Sequence, residues 1–253
     1  PTEAGHRITG SSGPDNLSGG GGADTVSGLQ GNDVINGNGG RDILRGGDGR
    51  DTIDGGGGDD FIFGGDSLAD LSDLITGGNG NDTIDGGYGN DHISGGGSND
   101  VIAGGFGSDT VIGNSGNDTM TGSALSDLVF GGPGDDFVDG GFGHDRINGG
   151  TGADTFFHHG VFGHGSDWIQ DYNAAEGDVL FFGNRSATAD QFRVSYGNSG
   201  SGSAGVNEAF VIYTPTGQVM WALVDGAGQD EINLRIGTEV FDLRSEEHTS
   251  ELQ

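Results

Sequence analysis

The chain has 253 residues, of which 58 are Gly, while the core formers Leu, Ile, Val and Phe together make only 56. Formal net charge is −30, Lys is absent, and 31 of the 39 acidic residues are Asp. Gly and Asp are poor in helix interiors, which excludes a helical bundle. A surface this negative argues against binding to nucleic-acid phosphates or to an anionic membrane. No apolar run is long enough to cross a bilayer as a helix. Cys is absent, which removes disulfides, zinc–thiolate sites and Cys nucleophiles.

Residues 1–9 read as a truncated leader. From Gly10 the chain falls into units with Gly first, usually Gly fourth, Asp sixth and an apolar residue eighth. Sixteen units fill residues 10–157, fifteen of nine residues and one, at 64–76, of thirteen. The eighth position is always apolar, from Leu17, Val26 and Ile35 to Val138, Ile147 and Phe156. A disordered Gly/Asp linker has no reason to hold three residue types in phase over that length, so the period predicts structure. Positions seven to nine, such as Thr52-Ile53-Asp54, predict a three-residue strand whose middle side chain points inward. Positions one to six predict a turn, where Gly supplies backbone conformations closed to residues with a Cβ. Strand, turn, strand, turn closes one coil of about 18 residues. The predicted fold is all-β, a parallel β-roll solenoid of about eight such coils.

Turns alternate between the two edges of a roll, so the sixth-position aspartates stack in two files. One file is Asp15, Asp33, Asp51, Asp73, Asp91, Asp109, Asp127 and Asp145. The other is Asp24, Asp42, Asp60, Asp82, Asp100, Asp118, Asp136 and Asp154. Like charges repeated in register repel. Residues 10–157 carry 24 Asp, no Glu and only four Arg, too few to neutralise them. A divalent cation between successive turns does so. Ca2+ takes about six to eight hard oxygen ligands in flexible geometry, which suits carboxylates and loop carbonyls. Mg2+ demands a stricter octahedron, and zinc prefers Cys or regularly placed His.

The unit Gly77-Gly78-Asn79-Gly80-Asn81-Asp82-Thr83-Ile84-Asp85 resembles the calcium-binding nonapeptide of RTX (haemolysin-type) proteins. The resemblance extends over residues 10–157. It implies a right-handed parallel β-roll, with Ca2+ held between loops by the sixteen aspartates above and by backbone carbonyls. It also implies export from a bacterium by a type I secretion apparatus to an extracellular location. Eight aspartates per file make seven stacked pairs, so about 14 calcium sites is the upper limit. Ser98 and Leu125 replace the fourth Gly in two units, and the 64–76 unit has no clear equivalent, so sites beside them are the weakest expectations.

Within residues 64–76, Leu68, Leu71 and Leu74 predict a short helical turn packed over Phe61 and Phe63. From 158 to 243 the period vanishes. Strand-like runs at 167–172, 179–182, 191–196, 209–214, 218–225 and 231–236 read as a β-rich C-terminal cap over the open sheet edge. Gly152-Ala153-Asp154-Thr155-Phe156, Asp171-Tyr172 and Gly177-Asp178-Val179-Leu180-Phe181 resemble the start of the C-terminal region that follows the repeats in serralysin-type proteases. Asp167, Asp171 and Asp178 read as a solvated turn, with a further calcium site as the alternative. His158, His159 and His164 read as polar positions on the cap surface, with a transition-metal site as the alternative. Residues 244–253 break the preceding pattern and read as a non-native tail.

Neither HExxH nor an in-register G-x-S-x-G occurs, and the carboxylate pairs belong to the period, so no catalytic constellation is found. The leading expectation is the calcium-binding repeat region of a secreted bacterial protein that folds on Ca2+ outside the cell. One alternative is the C-terminal part of a secreted hydrolase or epimerase whose catalytic domain is missing. Another is an adhesin-like structural solenoid. Ice binding favours an unbroken file of outward Thr, and the seventh positions, which include Asn16, Val34, Leu74 and His92, do not supply one.

Overall fold

The computed structural model describes residues 4–245. Most repeat strands hold six residues rather than three, as in Thr52–Gly57, because positions one to three join positions seven to nine. The next strand in the same sheet, Leu74–Asn79, shows why. It pairs in parallel not only at Ile53↔Ile75 but onward at Gly56↔Gly78 and Gly57↔Asn79. The first glycines therefore spend their backbone groups on the neighbouring coil, and the turn shrinks to positions four to six.

Successive strands alternate between two sheets of twelve strands each. One sheet runs from Arg7–Thr9 through Thr25–Gln30 and Ile43–Asp48 onward, and the other from Asn16–Gly21 through Val34–Gly39 and Thr52–Gly57. The result is a parallel β-solenoid of about nine turns that ends in antiparallel strands. Its ladders extend beyond the nonapeptide units at both ends. Arg7–Thr9 pairs with Thr25–Gln30 through Ile8↔Val26. Val179–Phe182 pairs with Thr155–His158, and Asp167–Ile169 pairs with Arg146–Thr151.

The core lies between the sheets and is one side chain thick per strand. Every eighth-position residue from Val26 to Phe156 is at most 1% exposed, and Leu17, at the open end, is partly buried. Beyond residue 158, Gln218–Leu223, Glu208–Tyr213 and Phe192–Gly197 add an antiparallel meander to one sheet. Asn233–Ile236 and Glu239–Asp242 add a hairpin to the other. Here aromatic rings replace the aliphatic file. Phe182 lies 4.9 Å from Phe192, 5.0 Å from Tyr213 and 6.3 Å from Trp221, centroid to centroid.

The expected helical turn in 64–76 does not form. Leu68, Leu71 and Leu74 are 88%, 52% and 46% exposed, while Asp70 turns inward. Polar closure decides this segment: Ser67 donates to Asp48, and Asp70 Oδ1 accepts the Leu71 N–H at 2.9 Å. Phe61 and Phe63 are covered instead by the Arg41 and Arg45 guanidinium groups. Among the described residues, helical structure is limited to two 3-10 turns, Ala189–Gln191 and Gly226–Gly228. No helix there is long and apolar enough to cross a membrane. Of the expected leader and tail, residues 1–3 and 246–253 lie outside the described residues.

Candidate metal centres

Strand register converts the sixth-position aspartates into two continuous ladders. The backbone N–H of each aspartate donates to Oδ1 of the aspartate one coil further on. Asp15 donates to Asp33, Asp33 to Asp51, Asp51 to Asp73 and Asp73 to Asp91, at 2.7–2.8 Å. The file continues from Asp91 to Asp109, Asp127 and Asp145 at 2.7–2.9 Å. The other file runs from Asp24 through Asp42, Asp60, Asp82, Asp100, Asp118 and Asp136 to Asp154 at 2.8–2.9 Å. Neither the long unit nor the replacements at Ser98 and Leu125 breaks a link. Both replacements adopt the left-handed backbone of a fourth-position Gly, with φ of 83° and 80°.

The other carboxylate oxygen has a different fate. From Asp24 to Asp145, Oδ2 of every file member is buried and without a hydrogen-bond partner among the described residues. A buried charged oxygen left this way is costly unless a proton or a cation meets it. The first-position Gly makes the space beside it. A Cβ on Gly77 would come within 2.5 Å of both Asp82 Oδ2 and the Gly95 carbonyl oxygen. A Cβ on Gly113 would lie 2.4 Å from Asp118 Oδ2 and 2.7 Å from the Gly131 carbonyl oxygen. Hard carboxylate and carbonyl oxygens, repeated at each coil in glycine-lined space, fit Ca2+.

The electrostatics agree. Burial pushes the carboxyls of Asp73 and Asp127 up to about 8, against a downward pull from the backbone N–H each accepts. The neighbouring carboxylates raise them further, Asp70, Asp51 and Asp91 around Asp73, and Asp109 and Asp145 around Asp127. Burial likewise lifts Asp60, Asp91, Asp100 and Asp154 to about 7. Groups held this way take up either a proton or a metal ion near neutral pH.

Several contributors escape a reading of the nonapeptide alone. His6 stands at the sixth position of the coil before Gly10, and its N–H donates to Asp24 Oδ1. The arithmetic of the period, extended backward, would have found it. A second ladder runs at position five, where Asn81 Oδ1 accepts the Asn99 N–H at 3.0 Å and Asn99 Oδ1 accepts the Asn117 N–H at 2.8 Å. Recurrent Asn, Asp and Ser at that position were its signal.

Asp167, Asp171 and Asp178 are not a solvated turn, and they do not converge on one site. Asp178 is 2% exposed, and its Oδ1 accepts the Asp154 N–H at 3.0 Å, extending that file. Its Oδ2 is taken by the Asn173 N–H at 2.7 Å. Asp171 clamps the Gly149 and Gly150 N–H groups at 2.9 and 2.6 Å. Asp167 is fully buried beside Asp145, one residue before the Arg146↔Trp168 pair, and among the described residues no N–H group meets either of its oxygens. The pattern Asp-x-apolar, in Asp167-Trp168-Ile169 and Asp178-Val179-Leu180, repeats the unit's sixth to eighth positions without its glycines. The histidines also depart from expectation: His158 and His164 are fully buried, and only His159 is at the surface.

No curated protein matches this sequence. Among solved structures, the solution structure of the AlgE6R3 subunit from the Azotobacter vinelandii mannuronan C5-epimerase is similar at 20% identity and a TM-score of 0.32. The match covers 60% of this chain and 72% of that one. The family described as RTX calcium-binding nonapeptide repeat (4 copies) matches residues 7–35, 36–67, 69–102, 94–129 and 121–156. The chain belongs to the RTX calcium-binding nonapeptide repeat family.

Proposed function

We propose that the chain is the calcium-folded module of a secreted bacterial protein, exported by a type I apparatus and ordered on reaching extracellular calcium. The observation that carries this reading is the file of buried Oδ2 atoms with no partner but space for a cation. In this reading the sixteen aspartates from Asp15 to Asp154 and the loop carbonyls are the ligands, at up to about 14 sites. Residues 158–243 cap the roll, and their start shares its likeness with serralysin-type proteases. The module supplies stability and presentation rather than a catalytic step of its own.

Extracellular calcium modules bind at about 10⁻⁴–10⁻³ M. With a Kd near ~1 mM and calcium near ~10 mM, each site contributes about 1.4 kcal/mol, and ten sites about 14. At sub-micromolar cytosolic calcium that contribution is close to zero, which keeps the chain unfolded for export. Far-UV circular dichroism during a calcium titration tests the reading. The expected result is cooperative gain of β structure at millimolar calcium, reversed by chelator. A chelated sample at neutral pH already rich in β structure sinks it.

A further inference from the structure

The three histidines after the last repeat divide into two roles. His158 is committed to its own loop. Its Nδ1 accepts the Gly160 N–H at 2.9 Å, and its Nε2 faces the Gly165 carbonyl oxygen at 3.3 Å, to which it donates. His164 is also fully buried, yet neither of its ring nitrogens has a hydrogen-bond partner among the described residues. Its ring packs 4.7 Å from Phe142 and 4.4 Å from His158, centroid to centroid. Leaving a buried donor and acceptor unmet is a cost that a ligand would remove. Close by, His159 Nε2 lies 3.2 Å from Asp139 Oδ2. One ligand atom each from Asp139, His159 and His164 lie within 4.8 Å of one another.

We propose that Asp139, His159 and His164 form a binding site for a divalent transition metal, with Zn2+ the best-fitting chemistry. Two imidazoles and one carboxylate are a set that zinc accepts in a tetrahedron with one position left open. Calcium is ruled out by donor type, since it takes oxygen ligands. Ligand atoms around a tetrahedral zinc stand about 3.3–3.6 Å apart, given bonds of about 2.0–2.2 Å. The Asp139–His159 pair already has that spacing, and a ring shift of about an ångström brings in His164.

The surroundings support the assignment. Asp139 ends the strand Phe137–Asp139, which pairs with Thr155–His158, so a bound ion would tie one coil to the loop leaving the next. Gly143 N–H holds the His164 carbonyl oxygen at 2.8 Å and fixes the loop. Burial pushes the His164 imidazole down to about 4, so it is neutral at physiological pH, the form that ligates. The exposed side of His159 leaves a path for the ion and a place for the fourth ligand.

The test uses the whole chain in saturating calcium, so that the aspartate files are filled. Zn2+ is titrated by calorimetry, and Co2+ is followed by its visible absorption. One equivalent of each per chain is expected, with the intense bands of tetrahedral Co2+. His159→Gln, at the surface, and His164→Phe, which keeps a ring beside Phe142, should each weaken binding about tenfold or more. His92→Gln, on an exposed position of the other sheet, should leave it unchanged. Circular dichroism in calcium confirms that the variants keep their β structure, and the exposed His159→Gln remains decisive if His164→Phe does not fold. Unaltered zinc affinity in His159→Gln, or no zinc bound below millimolar concentration, overturns the proposal.

Discussion

From Asp24 to Ile147 each repeat unit places one buried aliphatic side chain and one buried carboxylate in the interior, two of each per coil. After His158 the same two sheets enclose Phe182, Phe192, Tyr213, Met220, Trp221 and Leu223. Fully buried apolar side chains contribute about 1.5–3 kcal/mol each, while each ordered backbone residue costs about 1–2. One apolar side chain per nine residues does not offset that cost, and buried carboxylates add to it. In the proposed reading the array therefore depends on ions, whereas the C-terminal end is dense enough in aromatic contact to close the roll by hydrophobic burial. A single architecture thus combines a conditional part and a part with its own core.

The strongest way to break this contrast is pH in the absence of calcium. Burial raises the folded-state carboxyls of Asp60, Asp91 and Asp100 to about 7 and those of Asp73 and Asp127 to about 8, from an ordinary 3.8. A raised folded value means the metal-free fold binds protons that the unfolded chain releases. Stability from these groups is present in full below about pH 4 and is lost as pH rises through about 7–8. In chelator, β structure measured by circular dichroism should grow as pH falls from about 8 to 5. With calcium present, protons compete, and the calcium midpoint should rise over the same fall. A β signal indifferent to pH in chelator would remove the role assigned to the buried carboxylates.

A second experiment addresses the other half. Trp221→Ala in saturating calcium should cost about 3–5 kcal/mol in urea unfolding, because Trp221 is fully buried against Phe182 and His158. A loss below about 1 kcal/mol would mean that the aromatic end does not carry its own stability. Within the array, Asp100→Asn keeps an acceptor for the Asp82 N–H but removes a charged oxygen. It should raise the calcium midpoint and cost about 1–3 kcal/mol at about 10 mM calcium, one or two sites' worth. Asp225→Asn, in a turn of the C-terminal segment, should leave the midpoint unchanged. Equal effects from the two would erase the distinction between the files and other surface charge.

The smallest effect sharpens the backbone argument. Leu125 is 62% exposed and holds φ at 80°, where neighbouring units place Gly. A bulky residue there costs about 1–2 kcal/mol, and Gly returns part of it through a freer unfolded chain. Leu125→Gly should therefore raise the melting temperature by the equivalent of up to about 1 kcal/mol. A lower melting temperature would show that the Leu side chain stabilises the turn.

Much of the array was legible because its contacts have a constant separation. Asp100 meets Asp118 and Asp118 meets Asp136, each 18 residues apart, so one count along the chain places the inward residue, the files and the parallel register. The same arithmetic concealed the strand length, since positions two and three, Gly56 and Gly57 for example, read as turn yet still pair with the next coil. It also missed Asp167 and Asp178, which retain the aspartate and the apolar residue but not the surrounding glycines.

After residue 158 no fixed separation exists. Asn233 N–H reaches the Tyr172 hydroxyl at 2.7 Å across 61 residues, and Gln218 Nε2 reaches the Gly165 carbonyl at 2.6 Å across 53. The strands there could be sketched from composition, but not their partners. Nor could the burial of His164, which follows from packing against Phe142 and His158 rather than from local pattern.

By itself, then, the amino-acid order determined that two files of aspartate would line a stacked roll with one aliphatic residue inward per unit. Only the tertiary structure decided how each carboxylate is divided, one oxygen to a neighbouring N–H and the other buried without a hydrogen-bond partner among the described residues. The physical reason is that periodicity sets which residues stack, whereas hydrogen-bond saturation and burial are properties of atoms. Those are settled when the coils close on one another.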